Sequence, residues 1–324
     1  MKTMKAKLIS IIALVLIMLA CDKIVYIRID EGDQKIVLNG LINPDSTVIV
    51  HVARTRQVHV TGPIDSIDLL PDSIPVDDIS LYEDDQLVGH LTYRWKHFYE
   101  LPGFRPSVGK TYRIEASSGE MHPVSATISI PENIPIDSFD TTHIILENGG
   151  RAIRISFRFT DPAAQENYYA LQVTGLQRYY DHQYQKFLDD SLYAYNFSTR
   201  FMARTDGGLF QNFLEVNKEY YLNNLSAQPM VFTDELFNGK TLDIELTYPE
   251  DYYMMMDKKV LFRVDLMQVD KSYYQYAVSD TKFREVRNNP FAEPVQVFTN
   301  VKNGFGLFSA YNGSHQEFLM DWDK

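Results

Sequence analysis

Cysteine is almost absent from this sequence. Cys21 is the only cysteine in 324 residues, so no disulfide can form within the chain and packing alone must stabilise the fold. The eight histidines are scattered, and neither a pair four residues apart nor the HExxH pattern of zinc hydrolases is present. The GxSxG sequence of the nucleophile elbow is also missing. We therefore expect no metal site, no cofactor and no enzymatic activity.

Basic residues are outnumbered by acidic ones. Lys and Arg together number 31 against 43 Asp and Glu, which gives a formal net charge of −12. A chain of this charge should be repelled by polyanions, so we expect no nucleic-acid partner. The acidic clusters, such as residues 83–85, lack the spacing and the turn glycine of a calcium loop, and we interpret them as solvated turns.

Only one long apolar run occurs, and it lies at the N-terminus. Residues 8–20 would form a helix of about 20 Å, which is too short for a hydrocarbon core of about 30 Å. Together with the preceding lysines, the run predicts a signal peptide over residues 1–20. The following Cys21 resembles the acylated first residue of bacterial lipoproteins, with residues 21–34 as a lipid-anchored tether. The alternative is an ordinary cleaved signal, or an uncleaved anchor, with an incidental cysteine.

Short β-strands are predicted for most of the remaining chain. Between residues 35 and 131, alternating apolar and polar stretches recur at roughly 8–12-residue spacing, which is typical of a β-sandwich. Turns are predicted at residues 43–46 and 84–85. Residues 132–138 lack alternation and are predicted to be a linker. Alternation then resumes, so residues 139–324 are predicted to form a second, larger, immunoglobulin-like sandwich.

One segment has helical rather than strand periodicity. Over residues 270–287, Tyr273, Ala277, Val278 and other apolar or half-polar residues recur at the spacing of one helix face. Asp270 or Ser272 is suited to cap the first turn. The predicted fold class is therefore all-β with minor α, with one helix near residues 270–287.

Tyrosine is abundant, with 21 residues, and many tyrosines are adjacent pairs. In a strand, neighbouring residues face opposite sides, so a pair places one ring in the core and one outside. Exposed rings could stack on sugars or contact a protein, whereas the alternative is that tyrosine simply suits half-buried strands. The pairs begin at Tyr168, Tyr179, Tyr220, Tyr252 and Tyr273.

Five short triplets resemble the O-glycosylation sequence of exported proteins from the Bacteroidota. Each has Asp, then Ser or Thr, then an aliphatic residue or Thr, and each lies in a stretch that we expect to be an exposed loop. The candidate acceptors are Ser46, Ser66, Ser73, Thr141 and Ser191.

Gly304 and Gly306 do not form a dinucleotide-binding fingerprint, because no third glycine follows and the next residues alternate like a strand. We predict instead a hairpin of two strands, residues 295–301 and 305–311, joined by a turn at residues 302–304. A glycine inside a strand often marks the close approach of another backbone, and we expect this at Gly306.

The stretch NPFAEPVQVFTNVKNGFGLFSAYN resembles the C-terminal signature of the family catalogued as domain of unknown function 4249. Further segments match in order, including KIVLNGLINPDSTVIVHVART, ISLYEDDQLVG, VFTDELFNGK and YYQYAV. The resemblance implies a Bacteroidota lipoprotein whose first domain is transthyretin-like or carboxypeptidase-regulatory-like, with no known catalytic residues. The signature residues in this chain are Asn289, Pro290, Phe291, Glu293, Pro294, Asn303, Gly304 and Gly306.

Members of that family are often encoded beside TonB-dependent receptors. We therefore expect a non-enzymatic accessory protein at the outer membrane, anchored by a lipid on Cys21 and associated with a TonB-dependent receptor. Whether it faces the periplasm or the cell surface is left open. The first alternative is a surface module that binds a glycan or a peptide through exposed tyrosines or an edge strand. The second is an unrecognised hydrolase.

Overall fold

Alternation of apolar and polar residues places one side of each strand in a core, and the computed structural model follows this pattern. The structure describes residues 33–55, 74, 76–119, 121–163, 165–181, 186–196, 202–205, 229–249, 259–286, 289 and 291–321. Its elements are β1 (Ile36–Ile42), β2 (Val48–Arg54), β3 (Asp78–Glu83), β4 (Gln86–His90), β5 (Thr92–Trp95), β6 (Phe98–Leu101), β7 (Thr111–Ser117), β8 (Val124–Ser129), β9 (Ser138–Ile145), β10 (Arg151–Thr160), β11 (Tyr168–Asp181), β12 (Lys186–Asn196), β13 (Met202–Thr205), β14 (Met230–Thr233), β15 (Thr241–Pro249), β16 (Lys259–Val269), α1 (Lys271–Val286) and β17 (Phe305–Asp321). The prediction of an all-β chain with minor α is confirmed.

The described strands form three sheets. The largest has nine strands in the order β12-β11-β16-β17-β1-β2-β6-β5, with β14 also paired to β11. Two four-stranded sheets have the orders β13-β15-β10-β9 and β4-β3-β7-β8. Almost every pairing is antiparallel, but β17 runs parallel to β1. Each small sheet covers a different part of the large sheet, which produces two sandwich layers on one shared sheet.

The first hydrophobic core lies between the sheet β4-β3-β7-β8 and the part of the large sheet that contains β1 and β2. Leu38 and Val50 from the large sheet meet Leu81 and Ile114 from the small one, and each is at most 1% exposed. Burial of one such side chain stabilises the fold by about 1.5–3 kcal/mol. This layer corresponds to the strands that alternation predicted between residues 35 and 131.

The second core lies between the sheet β13-β15-β10-β9 and the part of the large sheet that contains β11 and β16. Phe157 and Leu246 from the small sheet pack with Leu171 and Val264 from the large one. From Val260 to Gln268, buried inward residues of β16 alternate with half-buried outward ones, and the outward Val269 is buried as well. One face of this strand is therefore core, and most of the other face is open to a different use.

Helix α1 covers one end of that other face. Asp270 caps it as predicted, since its Oδ2 accepts a hydrogen bond of 3.2 Å from the Ser272 N–H. Ala277 of the helix packs on Tyr168 and Val269 of the sheet. The expectation that an adjacent tyrosine pair has one exposed ring is wrong here, because α1 covers Tyr168 while the second core buries Tyr169. Among the described residues, no helix is long and apolar enough to cross a membrane.

Strand β17 contributes to both cores. Its first part pairs with β1 and buries Phe308, and its later part pairs with β16 and buries Met320. Residues 34–324 therefore form one compact unit in which the two cores share a sheet. The division at residues 132–138 and the transthyretin-like and immunoglobulin-like assignments stay predictions.

The predicted hairpin over residues 295–311 is wrong. Only the second half is a strand, β17, and its neighbours are β1 and β16 rather than the preceding segment. Residues 295–301 are extended without a ladder, and beside them Lys302 forms an isolated bridge with Ser125. The turn at Asn303 does exist, with φ of 61°. Alternation predicted a strand, but side-chain bonds hold this segment, for example from Thr299 Oγ1 to the Gly306 carbonyl at 2.7 Å.

The expected close backbone approach at Gly306 is confirmed. Its φ is 107°, and a Cβ built there would lie 2.1 Å from the carbonyl oxygen of Leu38 in β1. A Cβ on Gly304 would lie 2.5 Å from the carbonyl oxygen of Ile36. Both glycines are therefore required where β17 enters the large sheet beside β1.

Candidate functional site

The hairpin of β5 and β6, which we call the aromatic hairpin, displays large side chains at the end of the nine-stranded sheet. All four residues of β5 are exposed, and β6 is its one hydrogen-bonded neighbour among the described strands. Lys96 and His97 form a two-residue turn with φ of 43° and 66°. His is among the residue types enriched in this left-handed region, whereas Lys adopts it less readily. Positive φ at both turn positions is the conformation of the tight two-residue turns that join hairpin strands.

Aromatic rings continue along this hairpin. Trp95 is 51% exposed and stacks on Phe98, with ring centroids 5.6 Å apart and planes 23° apart. Tyr93 is 62% exposed and meets the buried Tyr99 edge-on at 5.6 Å. His51 of β2 lies on the same face as Trp95 and Phe98, with its ring 4.9 Å from Phe98. Tyr93 and Tyr99 lie on the other face, because the register shifts between Tyr93 and Trp95. Large rings that are anchored by packing and still exposed are typical of contact surfaces.

The hairpin is also basic, although the whole chain is acidic. The ammonium of Lys96 lies 5.2 Å from the centre of the Trp95 ring, a cation–π contact. Arg94 pairs with Glu100 at 3.0 Å, so this arginine is partly neutralised. Burial, and then the nearby His97, lower the pKa of His51, which favours its neutral form. Lys96 is thus the charge that this surface offers to a partner.

A second surface, the polar cleft, lies on the outer face of β11, β16 and β17, beyond the end that α1 covers. In the strand register, Gln172, Asp265 and His315 stand directly opposite one another across the three strands. Met267 and Gly313 form the neighbouring row toward the helix. Residues opposite one another on one face of a sheet have Cβ atoms about 5 Å apart, so these polar groups form one continuous row.

The turn between β1 and β2 forms a wall of the cleft. The predicted turn at residues 43–46 is confirmed, and within it the Asp45 N–H donates to Asn43 Oδ1 at 2.9 Å. Asn43 Nδ2 donates to Tyr311 Oη at 3.1 Å, which fixes the turn against β17. The cleft, which is partly open to solvent, has a volume of about 580 Å³. This lies within the range of about 300–1,000 Å³ that is usual for small-molecule sites.

A third group, the closed polar cluster, lies at the edge of the second core. Its members are Asp161, Asn167, Tyr169, Asp234 and Gln268, each at most 3% exposed. The Asn167 amide nitrogen is 3.2 Å from Asp161 Oδ1 and 3.3 Å from Asp234 Oδ2. The Tyr169 hydroxyl donates to Asp161, and Gln268 Nε2 donates to Asn167 Oδ1 at 2.6 Å. These donors give both buried carboxylates hydrogen-bond partners. The bonds connect the loop segments that contain Asp161, Asn167 and Asp234.

The one Ser-His-Asp grouping that the described residues show is not a catalytic triad. The Ser80 hydroxyl is 3.1 Å from His90 Nδ1, and Asp78 Oδ1 is 2.6 Å from the same nitrogen. A triad needs the serine on one ring nitrogen and the aspartate on the other. Within the described ranges, no group of three or more His, Cys, Asp or Glu residues could hold a metal ion.

The structure separates the signature residues of the C-terminal stretch into two groups. Asn303, Gly304 and Gly306 are packed beside β1 and β8, with Asn303 Nδ2 donating to the Pro123 carbonyl at 3.3 Å. Asn289 starts a turn by accepting the Phe291 N–H at 3.0 Å, and Phe291 is 95% exposed. Glu293 and Pro294 are exposed, and Pro290 lies outside the described residues.

The candidate modification residues are widely separated. Ser46 is exposed in the turn that lines the polar cleft, as expected. Thr141 lies in β9 and Ser191 in β12, so the prediction of a loop is wrong for both. Ser66, Ser73 and Cys21 lie outside the described residues.

Neither the aromatic hairpin nor the polar cleft was predicted as a site. Trp95 followed by Lys96 at a turn was a visible signal for the hairpin, since a large ring beside a charge at a strand end is seldom a core position. The cleft gave no local signal. Gln172, Asp265 and His315 are far apart in the chain, and only the strand register brings them together.

These features define an all-β protein with two cores on a shared sheet and two separate surface sites. The chain belongs to the family described as domain of unknown function DUF4249, whose model matches residues 22–317. No curated protein matches it.

Two solved structures show low similarity to the chain. The collagen adhesin of S. aureus is 8% identical with a TM-score of 0.20, and the match covers 91% of this chain and 96% of that one. The collagen-binding domain of the Erysipelothrix rhusiopathiae surface protein RspB is 12% identical with a TM-score of 0.18, over 90% and 97% of the two chains. Neither similarity bears on the function of this chain.

Proposed function

We propose that this chain is a non-enzymatic accessory protein that binds a protein partner at the outer membrane through the aromatic hairpin. Acylation of Cys21 would hold it at the membrane, and a TonB-dependent receptor is the partner that the family resemblance suggests. The observation that carries the proposal is Trp95, which is 51% exposed on the end strand of the large sheet and stacked on Phe98. Trp, Tyr and Arg are the residue types that dominate the energetics of protein interfaces.

The hairpin combines three properties that suit a protein partner. An end strand offers backbone groups to an added strand, the rings offer apolar area, and Lys96 offers a positive charge within an acidic chain. We therefore expect the partner to present an extended segment with apolar and acidic side chains. The charge favours a protein over a neutral glycan at this surface, because a neutral glycan has no group that requires it.

The glycan alternative, as far as it depends on tyrosine pairs, has little support from the described side chains. Tyr168 and Tyr169 are buried, and Tyr273 and Tyr274 are half-buried against the core under α1. These rings do not form an exposed row in the second half of the chain. The described residues also give no support to the hydrolase alternative. Ser80 and Asp78 both contact the same nitrogen of His90, which is not the arrangement of a catalytic triad.

Co-isolation from membranes tests the proposal. The tagged full chain, purified from solubilised outer membranes, should carry a specific partner protein, and Trp95→Ala should reduce the bound amount at least about tenfold, as expected for an interface anchor. Leu319→Ala is the matched control, since Leu319 is a large apolar residue that is 62% exposed on β17. This control should retain the partner.

Three results would contradict the proposal. One is recovery of the chain in the soluble fraction, which would contradict its attachment to the membrane. Another is the lack of any specific co-isolated protein. The last is equal retention of the partner by wild type and Trp95→Ala, which would place the interface elsewhere.

A further inference from the structure

The polar cleft contains polar groups that the protein itself does not use. Gln172 is half-buried and His315 is exposed, and neither side chain makes a hydrogen bond with the described part of the chain. Neither group is among the buried atoms that lack a partner, so both are open to solvent and can bond to a ligand. Both groups face one cavity from two different strands, so a single ligand could contact both.

The charged residues of the cleft largely compensate each other. Arg263 Nε donates to Asp265 Oδ1 at 2.8 Å, and the Asp265 side chain is 19% exposed. What remains for a ligand is the Gln172 amide, the His315 imidazole, the Ser46 hydroxyl, the exposed Asp45 carboxylate and the outer oxygens and nitrogens of the ion pair. With its one extra carboxylate this set would repel a phosphate, and its neutral groups can donate and accept several hydrogen bonds.

The cleft also has an apolar part. Tyr311 and Met267 line the end where α1 packs, and the Tyr311 ring is held by the hydrogen bond that its hydroxyl accepts from Asn43. Gly313 contributes no side chain to this row and lets β17 approach β16 closely, since a Cβ there would lie 2.5 Å from the carbonyl oxygen of Leu266. A ligand with one apolar face and several hydroxyl groups would match both parts of the surface.

We propose that the polar cleft is a binding site for a neutral sugar residue. The sugar hydroxyls would bond to Gln172, His315 and the Arg263–Asp265 pair, and the C–H face of the ring would lie on Tyr311 and Met267. The site is separate from the aromatic hairpin, because β5 and β6 lie at the other end of the nine-stranded sheet from β11 and β16. It therefore adds a small-molecule ligand to a protein whose proposed partner is another protein.

Saturation-transfer NMR and calorimetry on the purified chain test this proposal with four disaccharides: maltose, cellobiose, lactose and N,N′-diacetylchitobiose. At least one should bind. Gln172→Leu and His315→Leu should each weaken it about tenfold, as expected for removal of a ligand hydrogen bond. Glu147→Gln is the control, because Glu147 is exposed in the turn between β9 and β10 and does not line the cleft.

The controls separate this site from the hairpin. Trp95→Ala should leave sugar binding unchanged even if it abolishes the protein partner. Four results overturn the proposal: none of the four disaccharides binds, both Leu variants bind the sugar as tightly as wild type, Glu147→Gln weakens binding as strongly as they do, or a zwitterionic dipeptide such as Gly-Gly binds in place of the sugars. His315→Leu changes an exposed residue, so it remains informative if Gln172→Leu does not fold.

Discussion

The closed polar cluster and the polar cleft lie on opposite faces of the same two strands, β11 and β16. Tyr169 and Gln268 are opposite one another on the core side, and Gln172 and Asp265 are opposite one another on the outer side. On the core side both carboxylates accept hydrogen bonds and only the Gln268 Oε1 lacks a partner in the described part of the chain, whereas on the outer side the Gln172 and His315 side chains make no hydrogen bond. Because burial penalises unsatisfied groups, substitutions should affect folding on the first face and binding on the second.

Asn167→Leu is expected to cause the largest effect. The leucine would remove the amide donor from Asp161 and Asp234 and the acceptor for Gln268, all of which are buried. A hydrogen bond to a charged group contributes about 1.5–3 kcal/mol, and Asp161 keeps its bonds from Tyr169 and the Gly239 N–H, so the free energy of unfolding in urea should fall by about that amount.

Asn238→Leu is the matched control for this prediction. Asn238 is exposed in the loop near the cluster, and its amide is 3.5 Å from the Gln165 carbonyl, a marginal bond. The same substitution there should change the free energy of unfolding by less than about 1 kcal/mol. Equal losses in the two variants would mean that the closed polar cluster has no special role in stability.

A pH titration should show a smaller effect of the same cluster. Burial raises the pKa of the Asp234 carboxyl, hydrogen bonds from Asn167 oppose this shift, and repulsion from Asp161 adds to it. A raised pKa in the folded state means that the contribution of Asp234 to stability is fully present below its unfolded pKa of about 4 and is lost as pH rises through the folded pKa. The asparagine of Asp234→Asn cannot titrate. The free energy of unfolding of the wild type should therefore decrease relative to that of Asp234→Asn as pH rises.

Asp84→Asn provides a control of opposite sign. A hydrogen bond from Lys110 is the main cause that lowers the pKa of Asp84, so this carboxyl stabilises the fold above its unfolded pKa and ceases to do so as pH falls. The free energy of unfolding of the wild type should therefore increase relative to that of Asp84→Asn as pH rises. The same trend in both variants would show that the pH dependence arises outside the closed polar cluster.

Local patterns predicted the features that depend on neighbours in the chain. The cap at Asp270, the turn at residues 43–46 and the glycine at position 306 were all confirmed. Each depends on the backbone conformation or on contacts of a few residues, which composition and spacing encode. The family was predicted correctly as well, because its signature is a contiguous stretch.

Features that depend on long-range pairing were missed. Residues 295–301 alternate like a strand, yet β17 pairs with β1 from the start of the chain, a partner that alternation cannot identify. The same applies to Gln172, Asp265 and His315, which become one row only through the register of β11, β16 and β17. The burial of Tyr168 depends on α1, which packs over the outer face of the sheet.

The smallest effect on stability is expected for the cleft variants. Gln172→Leu and His315→Leu remove side chains that bond to nothing in the described chain, so each should change the free energy of unfolding by no more than about 0.5 kcal/mol. Urea unfolding of both variants beside Asn167→Leu measures the contrast directly. A loss in Gln172→Leu as large as that in Asn167→Leu would show that the outer face is also a structural cluster. Unchanged stability combined with weakened sugar binding would show that one pair of strands supports folding on one face and recognition on the other.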